Sequence, residues 1–435
     1  MHDLWADLSP AVQDALLALL LIAPGFLAGA LVLRALRPLP LVGAMLRRFV
    51  VVNGLFVALI TVSVGLGVGL LAQERGLRQG SARAAEKFDL IVAAPGSEVT
   101  VMLAAVYLQP SDMPLVTGPQ YAEIAGADGV AFAAPIAFGD SHLGAPVVGT
   151  TTDFVTHLAG PLAEGRLFST AGEAVAGAYA PVAVGGSFTP AHGHGPAAEG
   201  DAHAGSAYTI TGRMAPTGSP WDRAILVPVE GVWAVHGLAN GHAPDDPRIG
   251  PPFVAELMPG TPAVLVHATE IWGNYALKSR FTRADLMAFF PGTVLAQLHG
   301  LMRDVRAAMS LMAVLTQVLV TLSVLIGLMI LVRLIARSLA LLRAIGAPLR
   351  FVFAVVWAYS AALIVTGAGL GLALGWVAAR ALSAVVTART DVLVTAHPGW
   401  PEVHLVAGFI SLTLFMALMP AWLAARRPLL TDLRT

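Results

Sequence analysis

The chain has 435 residues, of which 56% are hydrophobic and only 12% charged. That balance is too apolar for a soluble protein and leaves room for a membrane bundle plus one sizeable extra domain. The formal net charge of −1 offers no global basic field for nucleic acid, and the lack of cysteine excludes disulfides and thiolate chemistry.

The first residues, MHDLWADLSPAVQD, carry Asp3, Asp7 and Asp14 and no Lys or Arg. Ala15–Leu33 is then nearly all apolar, interrupted by Pro24 and glycines. A signal peptide needs a basic start and a small-residue cleavage site, so the expectation is an uncleaved helix with its N-terminus outside. Arg34–Phe49, RALRPLPLVGAMLRRF, reads as an amphipathic helix with Arg34, Arg37, Arg47 and Arg48 toward anionic lipid. Val50–Leu71 is long enough for a second span, and Gly65 and Gly69 give it a small-residue stripe suited to close packing within the chain or between two copies.

From Gln73 to Asp304 hydropathy drops and short apolar runs alternate with Gly, Pro and Asp turns. Val130–Ile136, Pro181–Gly185, Tyr208–Gly212 and Ala224–Val229 are the expected strands of an α+β domain outside the membrane. Phe289–Met309 has helical periodicity and runs into a span at Ala307–Val332, so one long helix, half stalk and half membrane, is expected. The fourth span, about Phe351–Ala379, carries Gly367, Gly371 and Gly375 at four-residue steps. A short loop, Ser383–Glu402, with Trp400 as an outer interfacial anchor, leads to the fifth span at about Val403–Leu423.

Basic clusters fall at 34–48, 333–350 and 426–434. A five-span topology puts all three in the cytoplasm. Between the third and fourth spans, Leu339, Leu342 and Ile345 lie beside Arg337 and Arg343 in a short helix ending at Gly346-Ala347-Pro348. Glycine permits a C-cap there and proline stops the helix, so 337–348 reads as a cytoplasmic turn able to receive force from a partner. The expected architecture is an α-helical membrane bundle of four core spans plus an extra N-terminal span, with an inserted α+β domain on long helical stalks.

No G-x4-G-K-[ST] phosphate loop, G-x-S-x-G elbow or H-E-x-x-H helix occurs in the chain. No intrinsic catalytic site or cofactor is therefore expected, and ATP hydrolysis would have to come from a partner subunit. The local ligand signal is TPAHGHGPAAEGDAHAG at Thr189–Gly205, where His192, His194 and His203, with Glu199 or Asp201, could form a nitrogen and oxygen shell for Zn²⁺. The competing reading is a solvated hairpin insertion. Asn53, Gln317 and Thr366 are the clearest intramembrane polar residues, and they suggest interhelical hydrogen bonds rather than a hydrophilic pore.

The run ARSLALLRAIGAPLRFVF, the glycine-bearing span after it and the final MPAWLAARRPLLTDLR resemble the C-terminal domain of FtsX/MacB-type ABC transporter permeases. Leu342, Arg343, Ala344 and Gly346 match the family's core, while Ser338 stands where the pattern has an acidic residue. Gly149–Phe168 and Thr211–Gly237 are similar to the periplasmic domain of MacB-like permeases, and DLIVAAPGS at Asp89–Ser97 is similar to its opening. The resemblance does not cover the extreme N-terminus, so the extra helix at 1–36 departs from the family's four-helix plan; it implies an amphipathic cytoplasmic helix and span at 37–72, a periplasmic domain at 73–304 and an FtsX-like domain at 305–435. It also implies a multi-pass protein of the bacterial inner membrane, a permease homodimer bound to two cytoplasmic ABC ATPase subunits, and ATP-driven motion passed to the periplasmic domains. Leu339, Leu342, Arg343, Ile345 and Gly346 would carry the ATPase coupling, and a periplasmic lipoprotein or adaptor would be a further partner. Family substrates include lipoproteins, peptides, drugs and haem. The alternatives are an FtsX-like regulator that activates a periplasmic hydrolase, and a metal sensor.

Overall fold

A computed structural model describes residues 8–426 apart from 110, 194–206, 302, 391–394, 396 and 398; for parts of 303–334 and for 388–390 it describes the backbone without the side chains. The chain divides into two compact units, one formed by 1–77, 304–384 and 395–435, the other by 78–303 and 385–394.

The first unit is helical. Pro10–Leu33, Val50–Ala85, Leu349–Thr387 and Trp400–Ala425 are each long and apolar enough to cross a bilayer. Exposed leucines on their outer faces, such as Leu19, Leu27, Leu55 and Leu66, suit lipid rather than water. Arg303–Leu334 is a helix of 32 residues, whose described side chains include the shorter apolar stretch Thr321–Ile330.

Glycine spacing sets a close helix contact in this bundle. A Cβ on Gly367 would lie 2.7 Å from Ile60 Cβ, one on Gly371 2.7 Å from Val64 Cβ, and one on Gly375 2.6 Å from Val68 Cβ. Only glycine allows the 349–390 helix to approach the 50–85 helix so closely, and Thr61 Oγ1 donates to the Gly367 carbonyl at 3.2 Å across the seam. Gly65 faces the Gly371 carbonyl, so the small-residue stripe of the second expected span packs within the chain. Asn53 meets its expected role too, accepting from the Tyr359 hydroxyl and donating to the Leu46 carbonyl. Gln317 lies outside the described side chains.

The N-terminal helix Pro10–Leu33 packs along Trp400–Met416. Pro24 removes one N–H from its ladder, and the next N–H, that of Gly25, reaches Ser411 Oγ at 2.9 Å. The amphipathic helix begins later than its sequence suggests, at Leu39, so Arg34 and Arg37 precede it and Arg47 and Arg48 close it. One other expectation needs correction. The loop at 383–402 is shorter than expected, because Leu349–Thr390 stays helical to residue 390. The last span breaks at Ala417 between Trp400–Met416 and Leu418–Ala425, where Pro420 has no N–H to continue the helical ladder.

The second unit is built on a mixed sheet. Its strands are β1 (Leu90–Ala93), β2 (Val130–His142), β3 (Ala145–Thr150), β4 (Glu164–Gly165), β5 (Glu173–Ala176), β6 (Ser187–Phe188), β7 (Ala191–His192), β8 (Tyr208–Arg213), β9 (Ile225–Pro228), β10 (Ala263–Ala268) and β11 (Met287–Phe289). The order is β11-β1-β10-β2-β3-β9-β5-β8-β4, with β6 on β8 and β7 on β2; β3–β9 and β5–β8 are parallel. Successive side chains of β1 enter opposite cores, Leu90 and Val92 with Val147, Ile225 and Phe281, and Ile91 and Ala93 with Phe154, Trp221 and Phe289. Helices cover both faces, which is why these strands read as continuous apolar runs rather than as alternation.

Pro181–Gly185, expected as a strand, is a turn. Within it the Val182 carbonyl accepts from the Arg213 guanidinium, the Gly185 N–H reaches the Ile210 carbonyl at 2.8 Å, and Gly185 turns the chain at φ +83°. Pro291–Leu301 and Arg303–Leu334 are helical on either side of residue 302, which lies outside the described residues, and Met287–Phe289, where the long helix was expected to begin, is β11.

Candidate functional site

The turn at 337–348 forms as its sequence dictates. Ala336–Ala344 is helical, and Gly346 at φ +101° takes the left-handed position after it. The Ala347 N–H bonds to the Leu342 carbonyl at 3.0 Å and the Gly346 N–H to the Arg343 carbonyl at 3.1 Å, the paired bonds of a Schellman cap. Pro348 then starts Leu349–Thr390, its carbonyl accepting from Phe351.

Burial redistributes the residues assigned to this turn. Leu339 is buried in the bundle core beside Ile335, and Leu342 is half-buried against the same cluster. Arg343 is half-buried, whereas Ile345 is 83% exposed. Leu341 and Leu349, not singled out from sequence, are about half exposed, and with Ile345 they leave three large apolar side chains uncovered around the turn. Arg337 and Arg350 are exposed beside them. Helical periodicity located one apolar face, but only the bundle decides which of two adjacent leucines faces inward.

Among the described residues of the other unit, two groups of histidines gather around an aspartate, and in each the ligand-capable atoms lie within 4.8 Å of one another. The first contains His192. Antiparallel pairing of β2 with β7 sets Asp140 directly opposite His192, so their side chains share one face of the sheet. His192 Nδ1 lies 3.1 Å from Asp140 Oδ1. The short strand is pinned on either side: the Ser141 hydroxyl donates to the Gly193 carbonyl at 2.6 Å, and the Gly193 N–H to the Gly139 carbonyl at 2.9 Å.

His236, the residue that ends the helix Val229–Val235, completes this group. Its Nδ1 lies 2.8 Å from the Val232 carbonyl and its Nε2 3.6 Å from Asp140 Oδ1, with its ring centroid 4.8 Å from that of His192. Gly139, at φ +145°, lies in β2 beside the His236 ring. Asp140 and His236 stand far from the histidine loop in sequence, so no spacing rule links them to it. His194 and His203, with Glu199 and Asp201, lie outside the described residues.

The second group is Asp89, His157 and His267. His267 Nδ1 bonds to Asp89 Oδ2, and His157 Nε2 lies 3.6 Å from the same oxygen. That Nε2 also donates to the Lys87 carbonyl at 2.9 Å. Phe132 stacks on the His267 ring and meets His157 edge-on. Burial holds the His157 imidazole below its usual value, against the pull of the Lys87 carbonyl and of Asp89.

Four helices long and apolar enough to cross a bilayer, an inserted α+β domain and a capped turn between two long helices are the architecture of a membrane protein. Residues 310–429, which include that turn, match the family described as FtsX-like permease C-terminal, and the match supports a membrane permease of an ABC-type system. No curated protein matches the chain.

Proposed function

We propose that this chain is the membrane subunit of a MacB-type ABC system in the bacterial inner membrane, with its α+β domain in the periplasm. A separate ATPase supplies hydrolysis, two permease copies pair with two ATPase copies, and motion entering at the cytoplasmic turn is delivered to the periplasmic domains. Export or extrusion of a substrate, with a lipoprotein or adaptor as periplasmic partner, follows from this scheme. The observation that carries the proposal is the coincidence of the family match with a rigidly capped turn whose exposed Leu341, Ile345 and Leu349 stand among arginines. A groove on an ATPase would bury such side chains, and the arginines would sit at its rim.

Co-purification tests this from both sides. Wild-type protein should retain a stand-alone ABC ATPase after detergent extraction, and Ile345→Asp should strip it away, because a carboxylate would be buried without a partner. Arg337→Ala should have a smaller effect that shrinks with added salt. An ATPase that remains bound to Ile345→Asp and Leu341→Asp at wild-type yield would move the docking site elsewhere, and a wild type that retains none would sink the exporter reading.

A further inference from the structure

We propose that Asp89, His157, His267 and the Lys87 carbonyl form a binding site for a divalent transition-metal ion, with Zn²⁺ the best fit. The proposal does not depend on the ATPase-coupled reading, and none of these residues belongs to the histidine loop at 189–205.

The topology of the sheet brings the four groups together. Lys87 and Asp89 lie in the link between the helix Val50–Ala85 and β1. Antiparallel pairing of Leu90 with Val266 carries on outward and sets Asp89 beside His267 of β10. His157 comes from the last turn of the helix Thr152–Ala159. Phe132, opposite His267 on β2, packs against both imidazoles.

The convergence of acceptors points to a cation. The Lys87 carbonyl at 2.9 Å and Asp89 Oδ2 at 3.6 Å both face His157 Nε2. A neutral imidazole has one N–H, and here it serves the carbonyl, so it leaves the carboxylate oxygen to His267 Nδ1. A metal ion can satisfy both oxygens and both nitrogens at once. Two imidazoles with two oxygens suit Zn²⁺ and its first-row neighbours, whereas Mg²⁺ and Ca²⁺ take oxygen ligands.

The spacing suits a metal as well. With ligand atoms about 2.1 Å from Zn²⁺, separations of 2.9 Å and 3.6 Å correspond to angles of about 90° and about 120° at the ion, on either side of the tetrahedral value. Each imidazole would carry its proton on the outer nitrogen instead of the inner one, and neither would need to be displaced from the cluster. A cavity of about 10 Å³ lies against the same residues, bounded by Phe132, Phe154 and Leu265, and is close to the space that one water needs. The His157 and Asp89 side chains are 20% and 28% exposed, so the ion is reachable from solvent yet partly enclosed.

The test is a titration of the full-length protein in detergent with Zn²⁺ against a chromogenic chelator, with Co²⁺ as a spectroscopic probe and melting temperature as a second readout. Wild-type protein should bind Zn²⁺, show Co²⁺ ligand-field bands and melt higher with Zn²⁺ than without it. His157→Ala, His267→Ala and Asp89→Asn should each weaken binding on the order of tenfold or more. His157→Gln keeps an N–H for the Lys87 carbonyl but offers a poor ligand, so combined with His267→Ala it should lose the Co²⁺ bands and the Zn²⁺-dependent rise in melting temperature while still unfolding cooperatively without metal. The proposal is overturned if the wild type binds no ion, or if the His157→Gln/His267→Ala variant folds and binds as the wild type does. It is equally overturned if binding is lost only when His192 and His194 are replaced.

Discussion

The Arg75 guanidinium donates to the Glu402 carboxylate at 2.9 Å, and the Glu402 side chain is fully buried. The same carboxylate oxygen accepts from the Gly399 N–H at 2.9 Å, and Arg75 reaches the His397 carbonyl at 2.5 Å. One charge pair thus ties the long helix Val50–Ala85, at residue 75, to the start of another at residue 400. Nothing local in either sequence announces it, because the partners are 327 positions apart.

Removing one partner of a buried ion pair leaves the other charge desolvated, at a cost of about 3–5 kcal/mol. Arg75→Ala should therefore lower the melting temperature of the purified protein substantially. Glu402→Gln, which keeps an acceptor for Gly399 and Arg75, should be milder. Equal melting of Arg75→Ala and wild type would show that the pair does not hold the bundle.

The glycine seam makes a sharper prediction. A Cβ on Gly375 would come within 2.6 Å of Val68 Cβ, whereas one on Gly369 would meet nothing within 4 Å. Gly375→Val should destabilise the protein by about 1–3 kcal/mol or more through overpacking, and Gly369→Ala should be neutral or slightly stabilising. Thermal unfolding in detergent distinguishes them; indistinguishable curves would mean that the helices are not in contact along this seam.

Gly346 probes backbone geometry rather than space, since a Cβ there would meet nothing within 4 Å while φ stands at +101°. A β-branched residue pays roughly 1–3 kcal/mol to hold a left-handed conformation, and Asn pays less. Gly346→Val should leave ATPase assembly partly intact but uncouple ATP hydrolysis from substrate movement, with Gly346→Asn between it and the wild type. Full coupling in Gly346→Val would remove the turn from the transmission path.

His157 gives a pH dependence of definite sign. Burial lowers its folded pKa, so as pH falls below about 6.5 the unfolded chain takes up the proton first. The stability it contributes is present above that pH and is lost as pH falls through the folded value. Lys87, Asp89 and His267 are the charged or titratable groups that act on it. His157→Gln should flatten the acid side of the melting-temperature profile relative to wild type; parallel profiles would show that this imidazole is not kept neutral by folding.

Apolar length, glycine steps and a glycine-proline stop were legible in the chain because each acts over a few residues. They fixed four bilayer-length helices, the close seam at Gly367, Gly371 and Gly375, and the capped turn at Gly346. Strands whose backbone pairs in a ladder, at 208–213 and 225–228, were legible as well. Pro181–Gly185 misled because a distant guanidinium, that of Arg213, takes the Val182 carbonyl and Gly185 turns the backbone at φ +83°.

The sequence by itself therefore determined a membrane bundle with an inserted α+β domain, since hydrophobic periodicity and backbone punctuation are local properties. It also flagged His192, but as part of a loop. Tertiary structure alone decided that Ile345 faces outward while Leu339 is buried, and that His192 meets Asp140 and His236. Burial direction and cross-strand register depend on which surfaces come together, and residues far apart in the chain become one site only when a sheet and a helix end place them there.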